Sequence, residues 1–191
     1  MKDVLYKYMS KFTDLTLEEQ KVIVEDICVK DYKKGTVLLK QGEIPSKCYF
    51  VLKGCIRQFS IDEMGKEITS NFYTEEQSII MFHQSHHESL SPYTYSCLEN
   101  TVLVVCDAET ENTMYDQYLK LETMIRKMTE ENLIQVQDDF AAFIASTPEE
   151  RYKALLRKQP DLFDRVPQHQ LASYLGITPE SFSRIKKRLS E

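Results

Sequence analysis

Glycines divide residues 32–106 into short segments rich in β-branched and aromatic residues. Short segments of this kind, separated by turn residues, are typical of a β-sandwich or a β-barrel. Residues 62–66 predict a hairpin loop in which Gly65 supplies the positive φ angle. The predicted strands are 36–39, 48–52, 56–61 and 68–73, and the segment 94–106 completes the sheet. This region therefore predicts an antiparallel β-barrel or jelly roll, which together with the helices below gives an α+β fold.

A stretch without proline or glycine follows the predicted sheet, from about Tyr118 to Ser146. Apolar residues recur there every three or four positions, which predicts one helix of about 28 residues and about 42 Å. A helix this long favours a dimer interface, although the same spacing fits a helix packed on the sheet of its own chain. Asn132 could fix the register between two such helices. The predicted interface residues are Leu121, Ile125, Met128, Asn132, Val136 and Phe140, and Phe143 continues their spacing.

Helical patterns also lie at both ends of the chain. Residues 3–30 are predicted to be helical, with Thr16 and Glu19 spaced as a capping box for a second helix. At the C-terminal end, two short helices are predicted at about 168–175 and 179–189, separated by Gly176. We therefore expect helices on both sides of the sheet region.

The last two predicted helices have the spacing of a helix-turn-helix. Ala172 provides the small residue where the helices cross, Gly176 provides the turn, and Phe182 and Ile185 pack back from the second helix. Thr178 is the expected N-cap of that second helix. An ordinary amphipathic helical hairpin is the alternative interpretation.

The polar face of the second helix carries side chains suited to reading DNA bases. Arg184 can bond the O6 and N7 atoms of guanine, Glu180 can accept from the N4 amino group of cytosine, and Ser183 can contact bases or phosphates. The basic residues that follow are suited to phosphate contacts. The predicted DNA-binding residues are Thr178, Glu180, Ser183, Arg184, Lys186, Lys187 and Arg188.

The charge distribution agrees with a local interface of this kind. The chain has a net charge of −6, but its last 27 residues carry +3, which leaves −9 on the first 164. A basic segment can approach a polyanion, whereas the acidic remainder should not. A solvated basic helix end would show the same charges.

Several classes of protein are excluded by composition and pattern. The longest strictly apolar run is 102–106, far short of the ~20 residues of a membrane-spanning helix. The first residues carry no export signal. The five cysteines form no Cys-x-x-Cys pair, which favours a reducing cytoplasm and a core or surface position for each of them. No catalytic constellation can be placed, so we do not expect an enzyme.

The chain as a whole resembles the Crp/Fnr family of bacterial transcription regulators. The glycine pattern at 35–43 and 49–54 is similar to that of the family's cyclic-nucleotide-binding-like barrel. Glu180, Ser183 and Arg184 match the Glu-x-x-Ser-Arg recognition pattern of its Fnr-like branch. The resemblance implies a homodimer bound to a palindromic site on double-stranded DNA, with RNA polymerase as a further partner and no membrane contact.

Three departures from the family pattern modify this expectation. Glu75-Glu76 stands where the family's phosphate cassette has Gly-Glu, and Ser91-Pro92 stands about where it has Arg-Ser, so we expect no cAMP binding. The cysteine cluster that holds an iron–sulfur centre is missing from the N-terminal region, so no cofactor is expected. The chain ends at Glu191, directly after the recognition helix, so we expect no β-hairpin wing and fewer phosphate contacts.

The resulting domain assignment has three parts. Residues 1–117 are predicted to form the sensor domain, 118–146 the dimerisation helix and 147–191 the DNA-binding domain. Any effector pocket is expected at Ser78, Ile79, Ser91, Tyr93 and Thr94.

Two alternatives remain open in the sequence. The segment containing His83, His86 and His87 could bind a metal, although a solvated loop is favoured and no metal is expected. The chain could also be a sensor module for an unknown small molecule or metal, and its C-terminal helices would then engage a protein partner.

Overall fold

The computed structural model describes residues 2–13, 15–79 and 90–190. Two helices come first, α1 (Lys2–Met9) and α2 (Leu17–Asp26). Thr16 caps α2 by accepting a hydrogen bond from the Glu19 N–H, while the Glu19 carboxylate accepts one from the Thr16 N–H at 2.7 Å. The capping box predicted from the sequence is therefore confirmed.

Short strands follow the two helices and form two antiparallel sheets. Their order is β1-β8-β3-β6 in the first sheet and β2-β7-β4-β5 in the second. The strands are β1 (Val29–Tyr32), β2 (Val37–Leu39), β3 (Lys47–Lys53), β4 (Ile56–Ile61), β5 (Glu67–Tyr73), β6 (Ser78–Ile79), β7 (Thr94–Cys97) and β8 (Thr101–Asp107). The antiparallel β architecture predicted from the glycine-separated segments is confirmed.

Two segments differ from the sequence prediction. The chain leaves the helix at Ile27, and β1 begins at Val29, at the end of the stretch 3–30 that was predicted to be helical, because β1 pairs with the distant β8, Val29 opposite Val104. Ser78 and Ile79 form β6 against β3 in a stretch whose sequence is polar and irregular. In both places a partner strand far away in sequence supplies the hydrogen bonds, and tertiary pairing of this kind overrides local preference.

The helices after the sheets are α3 (Ala108–Gln117), α4 (Leu119–Ala145), α5 (Pro148–Lys158), α6 (Leu162–Arg165), α7 (Gln168–Tyr174) and α8 (Pro179–Ser190). Residues from α1, α2, α4 and the outer face of the first sheet form one apolar core. Residues from α5 to α8 form a second core, which also includes Cys55 and Phe72 of the barrel. No helix within the described residues is both long and apolar enough to span a membrane.

Candidate nucleic-acid interface

Helix α8 begins as the sequence predicts. The hydroxyl of Thr178 accepts a hydrogen bond from the Ser181 N–H at 3.2 Å, and Pro179 occupies the first helical position. Phe182 is fully buried and Ile185 is 8% exposed, so one face of α8 packs against the rest of the domain. The turn before α8 contains Gly176 at φ +69°. These features give α7 and α8 the geometry of a helix-turn-helix.

The opposite face of α8 presents the polar residues selected from the sequence. Glu180, Ser183, Arg184 and Lys187 are all exposed there. Exposure on one face of a helix is what major-groove reading requires, because the bases must be reached without moving the buried face. Their contact with DNA stays a prediction.

Two of these side chains have defined surroundings. Arg184 donates from Nη2 to the hydroxyl of Ser181 at 3.0 Å. The pKa of Glu180 is lowered below its usual value, first by its own backbone N–H, then by the Thr178 side chain and the positive charge of Arg184. Glu180 is therefore ionised at neutral pH and can accept hydrogen bonds.

The end of α8 is fixed to another helix. Arg188 forms an ion pair with Glu149 in the first turn of α5, and Glu149 also accepts from Lys153 at 2.7 Å. Arg188 was predicted to contact phosphate, and the structure gives it a protein partner. Lys186, the neighbouring predicted phosphate contact, lies exposed on the same turn.

Aromatic residues of α5 and α6 pack against the buried face of α8. The ring of Phe182 lies 5.2 Å from that of Tyr152 and is stacked at 6.1 Å on Phe163, measured between centroids. Aromatic pairs of this kind add to the free energy gained by burial. They fix the position of the exposed face relative to α5 and α6.

Arg151 connects the long helix to the helix-turn-helix. Its Nε donates to the Phe143 carbonyl near the end of α4 at 3.1 Å, and its Nη1 donates to the Leu175 carbonyl beside the turn at 3.2 Å. The guanidinium also lies 3.9 Å from the centre of the Phe143 ring. One side chain therefore satisfies two carbonyls at helix ends, and it ties α4 to the turn before α8.

The helix-turn-helix domain is docked on the barrel of its own chain. Arg165 donates to both carboxylate oxygens of Glu75 at 3.0 Å, and to Glu99 at 2.5 Å from Nη2. Phe72 of β5 packs edge-on against Tyr174, with ring centroids 5.3 Å apart. Arg165 is one of the basic residues of the last 27, but two carboxylates of the barrel pair with its charge.

Helix α4 divides into two halves with different surroundings. Leu121 and Met124 are each 5% exposed and lie in the core formed with α1, α2 and the first sheet, and Ile125 and Met128 pack against the same core. The predicted interface residue Leu121 is therefore covered by its own chain, as the alternative interpretation required.

The second half of α4 leaves the barrel. Its exposed fractions are 56% for Leu133, 54% for Val136, 66% for Phe140 and 65% for Ile144, and Asn132 is exposed as well. At about 100° per residue, the four apolar residues lie on one side of the helix. We name them the α4 stripe.

The segment matching the family's phosphate cassette is occupied by carboxylates. Glu75 accepts from the Gly54 N–H at 2.8 Å as well as from Arg165. Burial alone would raise the pKa of Glu75, but these hydrogen bonds and the Arg165 charge lower it below its usual value. Glu76, at φ 65°, pairs with Lys11 at 2.7 Å. Both carboxylates are therefore already paired with basic side chains of the same chain.

The predicted effector-pocket residues differ in their surroundings. Ile79 is fully buried in the barrel core and Thr94 is also buried. The Ser91 hydroxyl donates to the Tyr93 carbonyl at 2.8 Å and accepts from the Tyr93 N–H at 3.1 Å. Ser78 borders a separate cavity outside the barrel.

That cavity has a volume of about 510 Å3 and lies between α1, the outer face of the first sheet and the first half of α4. Apolar walls with a few polar groups are typical of small-molecule sites. Nothing in the sequence marks it, because its walls come from segments far apart in the chain. Its lining includes Tyr8, Phe50, Ser78, Val104, Met124 and Met128.

The histidine segment proposed from the sequence as a metal site contains His83, His86 and His87, which lie outside the described residues. Within the described ranges, no cluster of three or more His, Cys, Asp or Glu residues is suited to a metal ion.

Comparisons with known proteins agree with this architecture. Residues 29–118 match the cyclic nucleotide-binding domain family. The chain is 22% identical over 170 residues to the transcriptional activator protein FnrA of Stutzerimonas stutzeri, covering 83% of this chain and 69% of the relative.

Solved structures share the fold. FixK2 from Bradyrhizobium japonicum superposes with a TM-score of 0.68 at 16% identity, covering 86% of this chain and 84% of its own. The Thermus thermophilus catabolite activator protein superposes with a TM-score of 0.53 at 20% identity, covering 94% and 85%. In its cyclic nucleotide-binding domain, its similarity to FnrA and its C-terminal helix-turn-helix, the chain is similar to the transcription regulators of the Crp/Fnr family.

Proposed function

We propose that this protein regulates transcription as a homodimer that binds a palindromic DNA site and acts together with RNA polymerase. The observation that carries the proposal is the two-faced structure of α8. Its apolar face is buried through Phe182 and Ile185, and its exposed face presents Glu180, Ser183 and Arg184. Two such helices, one from each protomer, would enter adjacent major grooves.

The α4 stripe supports the dimer. Contiguous exposed apolar residues on one helix face mark a site of protein association. Pairing the α4 stripe with that of a second chain would remove these side chains from water and form a helix pair. The stripe is followed closely by α5 and the helix-turn-helix, so pairing also fixes the separation of the two recognition helices.

Selection of bound sequences from a random duplex pool tests the proposal. We expect a palindromic motif with a G·C pair in each half-site, bound by two chains. Arg184→Ala should weaken binding to this site by about 1–3 kcal/mol per half-site and relax the preference at that base pair. Lys33→Ala is the matched control, because it removes one exposed positive charge from the barrel and should leave the motif and the affinity unchanged.

Two results of this selection would contradict the proposal. Absence of any enriched motif, or a motif bound equally by the Arg184→Ala variant, would contradict direct base reading by α8. The alternative role of the C-terminal helices, contact with a protein, would then be favoured.

We also propose that the regulator does not respond to cAMP. Glu75 and Glu76 stand where a phosphate would bind, and Glu75 is already engaged by Gly54 and Arg165. Calorimetric titration with cAMP up to about 1 mM should give no binding heat, which places any Kd above that value. Saturable binding in the micromolar range would contradict this proposal.

A further inference from the structure

Two cysteines lie directly opposite each other in the first sheet. Cys48 of β3 and Cys106 of β8 are register partners on antiparallel strands. Residues in that relation have Cα atoms about 4.5–5.5 Å apart. A disulfide needs a Cα separation of about 4.4–6.8 Å. The backbone therefore already provides the spacing for a bond between the two sulfur atoms.

The pair is accessible from the cavity outside the barrel. Both cysteines are partly buried, and both line the cavity on the sheet face that also carries Phe50 and Val104. Cys55 and Cys97 are buried, and Cys28 is exposed. Cys48 and Cys106 thus combine a partner in register with access to small molecules.

The surroundings give the two thiols different roles. The pKa of Cys106 is lowered, because its thiolate accepts a hydrogen bond from the Cys48 thiol, although burial and the charges of Glu111 and Asp107 act in the opposite direction. The pKa of Cys48 is raised, first by that hydrogen bond and then by burial. The direction of these two shifts assigns Cys106 as the attacking thiol of the pair, and its Sγ also donates to the Asp107 carbonyl at 3.4 Å.

We propose that Cys48 and Cys106 form a redox-active dithiol that hydroperoxides oxidise to an intramolecular disulfide. The Cys106 thiolate attacks the terminal peroxide oxygen, the O–O bond breaks, and protonation of the leaving oxygen releases water or an alcohol. The resulting sulfenic acid is then attacked by the Cys48 sulfur, which forms the S–S bond and releases water. Two electrons pass from the thiols to the peroxide, and a thiol reductant restores the pair.

The position of the pair links this chemistry to α4. Cys48 and Cys106 share the cavity wall with Leu121, Met124 and Met128 of the first half of that helix. A disulfide replaces two polarisable thiols with one fixed bond, so the wall on which α4 rests changes shape.

The test treats the reduced full-length protein with one equivalent of hydrogen peroxide and then blocks free thiols with N-ethylmaleimide. Cleavage after Lys47, Lys53 and Glu99, by trypsin and a glutamyl endoproteinase, places Cys48 and Cys106 in separate peptides. Under denaturing conditions, we expect two of the five thiols to be lost. We also expect one disulfide-linked peptide pair, whose mass is lower by two hydrogen atoms than the sum of the two reduced peptides.

Variants assign the two roles. Cys106→Ser should abolish both the thiol loss and the linked peptide, whereas Cys48→Ser should stop at a sulfenic acid on Cys106 that dimedone captures. Cys28→Ser, which removes an exposed cysteine, is the matched control and should keep the link. The proposal is overturned if wild-type Cys48 and Cys106 remain fully alkylated, or if Cys106 links to another chain. That wild-type result does not depend on how any variant folds.

Discussion

The two halves of α4 carry similar apolar residues but have opposite surroundings. The first half is covered by α1, α2 and the first sheet of its own chain. The second half projects the α4 stripe outward. Apolar spacing therefore identifies a helix and its apolar side chains, but it does not identify the surface that covers them.

The geometry of an α-helix explains why the apolar spacing predicted one interface along both halves of α4. Successive steps of four residues rotate the side chains by about 40°, because four residues exceed one turn of about 3.6 residues. Following such steps from Leu121 to Phe140 therefore moves gradually from the face on the barrel to the exposed face. The single interface predicted from the apolar spacing therefore includes residues of two different surfaces, the face on the barrel and the α4 stripe.

The largest effect is expected in the covered half. Leu121→Ala removes a side chain that is 5% exposed and leaves a cavity in the core. The free energy of unfolding should fall by about 2–5 kcal/mol, as for other buried leucines. Urea unfolding at a fixed protein concentration measures it, and a loss below about 1 kcal/mol would show that this half is not part of the core.

Phe140→Ala tests the exposed half in the same way. We expect the fold to be retained and the dimer Kd to rise about 30-fold, which corresponds to about 2 kcal/mol for a central interface residue. Sedimentation equilibrium measures the Kd, and circular dichroism checks the fold. Gln135→Ala, an exposed change on another side of α4 where Gln135 bonds Asp139, is the control and should leave the Kd unchanged. An unchanged Kd for Phe140→Ala would separate the α4 stripe from dimerisation.

A smaller effect is expected where the exposed half ends. Arg151→Ala removes the guanidinium donor from the carbonyls of Phe143 and Leu175, although the Phe143 carbonyl keeps a bond from the Ser146 N–H at 3.3 Å. The free energy of unfolding should fall by about 1–3 kcal/mol, the cost of losing a charged donor to partly buried carbonyls. Arg157→Ala removes an exposed arginine from the same helix and should change stability by less than about 0.5 kcal/mol in the same urea experiment. Equal losses in the two variants would contradict the connecting role of Arg151.

The smallest effect concerns the contact that returns the chain to the barrel after α4. The pKa of Glu75 is lower in the folded protein than its usual value, through Arg165 and Gly54 and against the effect of burial. A lowered carboxyl pKa stabilises the fold above the pKa of the unfolded chain, and this contribution is lost as the pH falls through the folded pKa.

Glu75→Gln should therefore be less stable than wild type near neutral pH, and the difference should disappear under acidic conditions. Urea unfolding at pH values from about 7 to about 3 measures both proteins. A difference that stays constant across this range would contradict an ionised Glu75 in the contact.

The elements recovered from the sequence are those with local signals. The turn at Gly176, the cap at Thr178 and the apolar faces of α7 and α8 depend on neighbours within a few residues, so α8 was predicted closely. The contact between Arg165 and Glu75 joins residues far apart in the chain, and neither residue reveals its partner. The same holds for Cys48 and Cys106, which only the register of β3 and β8 brings together.

The C-terminal helices share the second core with the barrel residues Cys55 and Phe72. This shared core limits which parts of the chain can be exchanged independently during evolution. A helix-turn-helix domain whose core consisted only of its own residues could be transferred between proteins as an independent module. Here a transferred domain would expose Tyr174 and lose the partners of Arg165 unless the matching barrel surface moved with it. Substitutions on the exposed face of α8 leave that shared surface intact, whereas exchange of the whole domain requires a matching barrel.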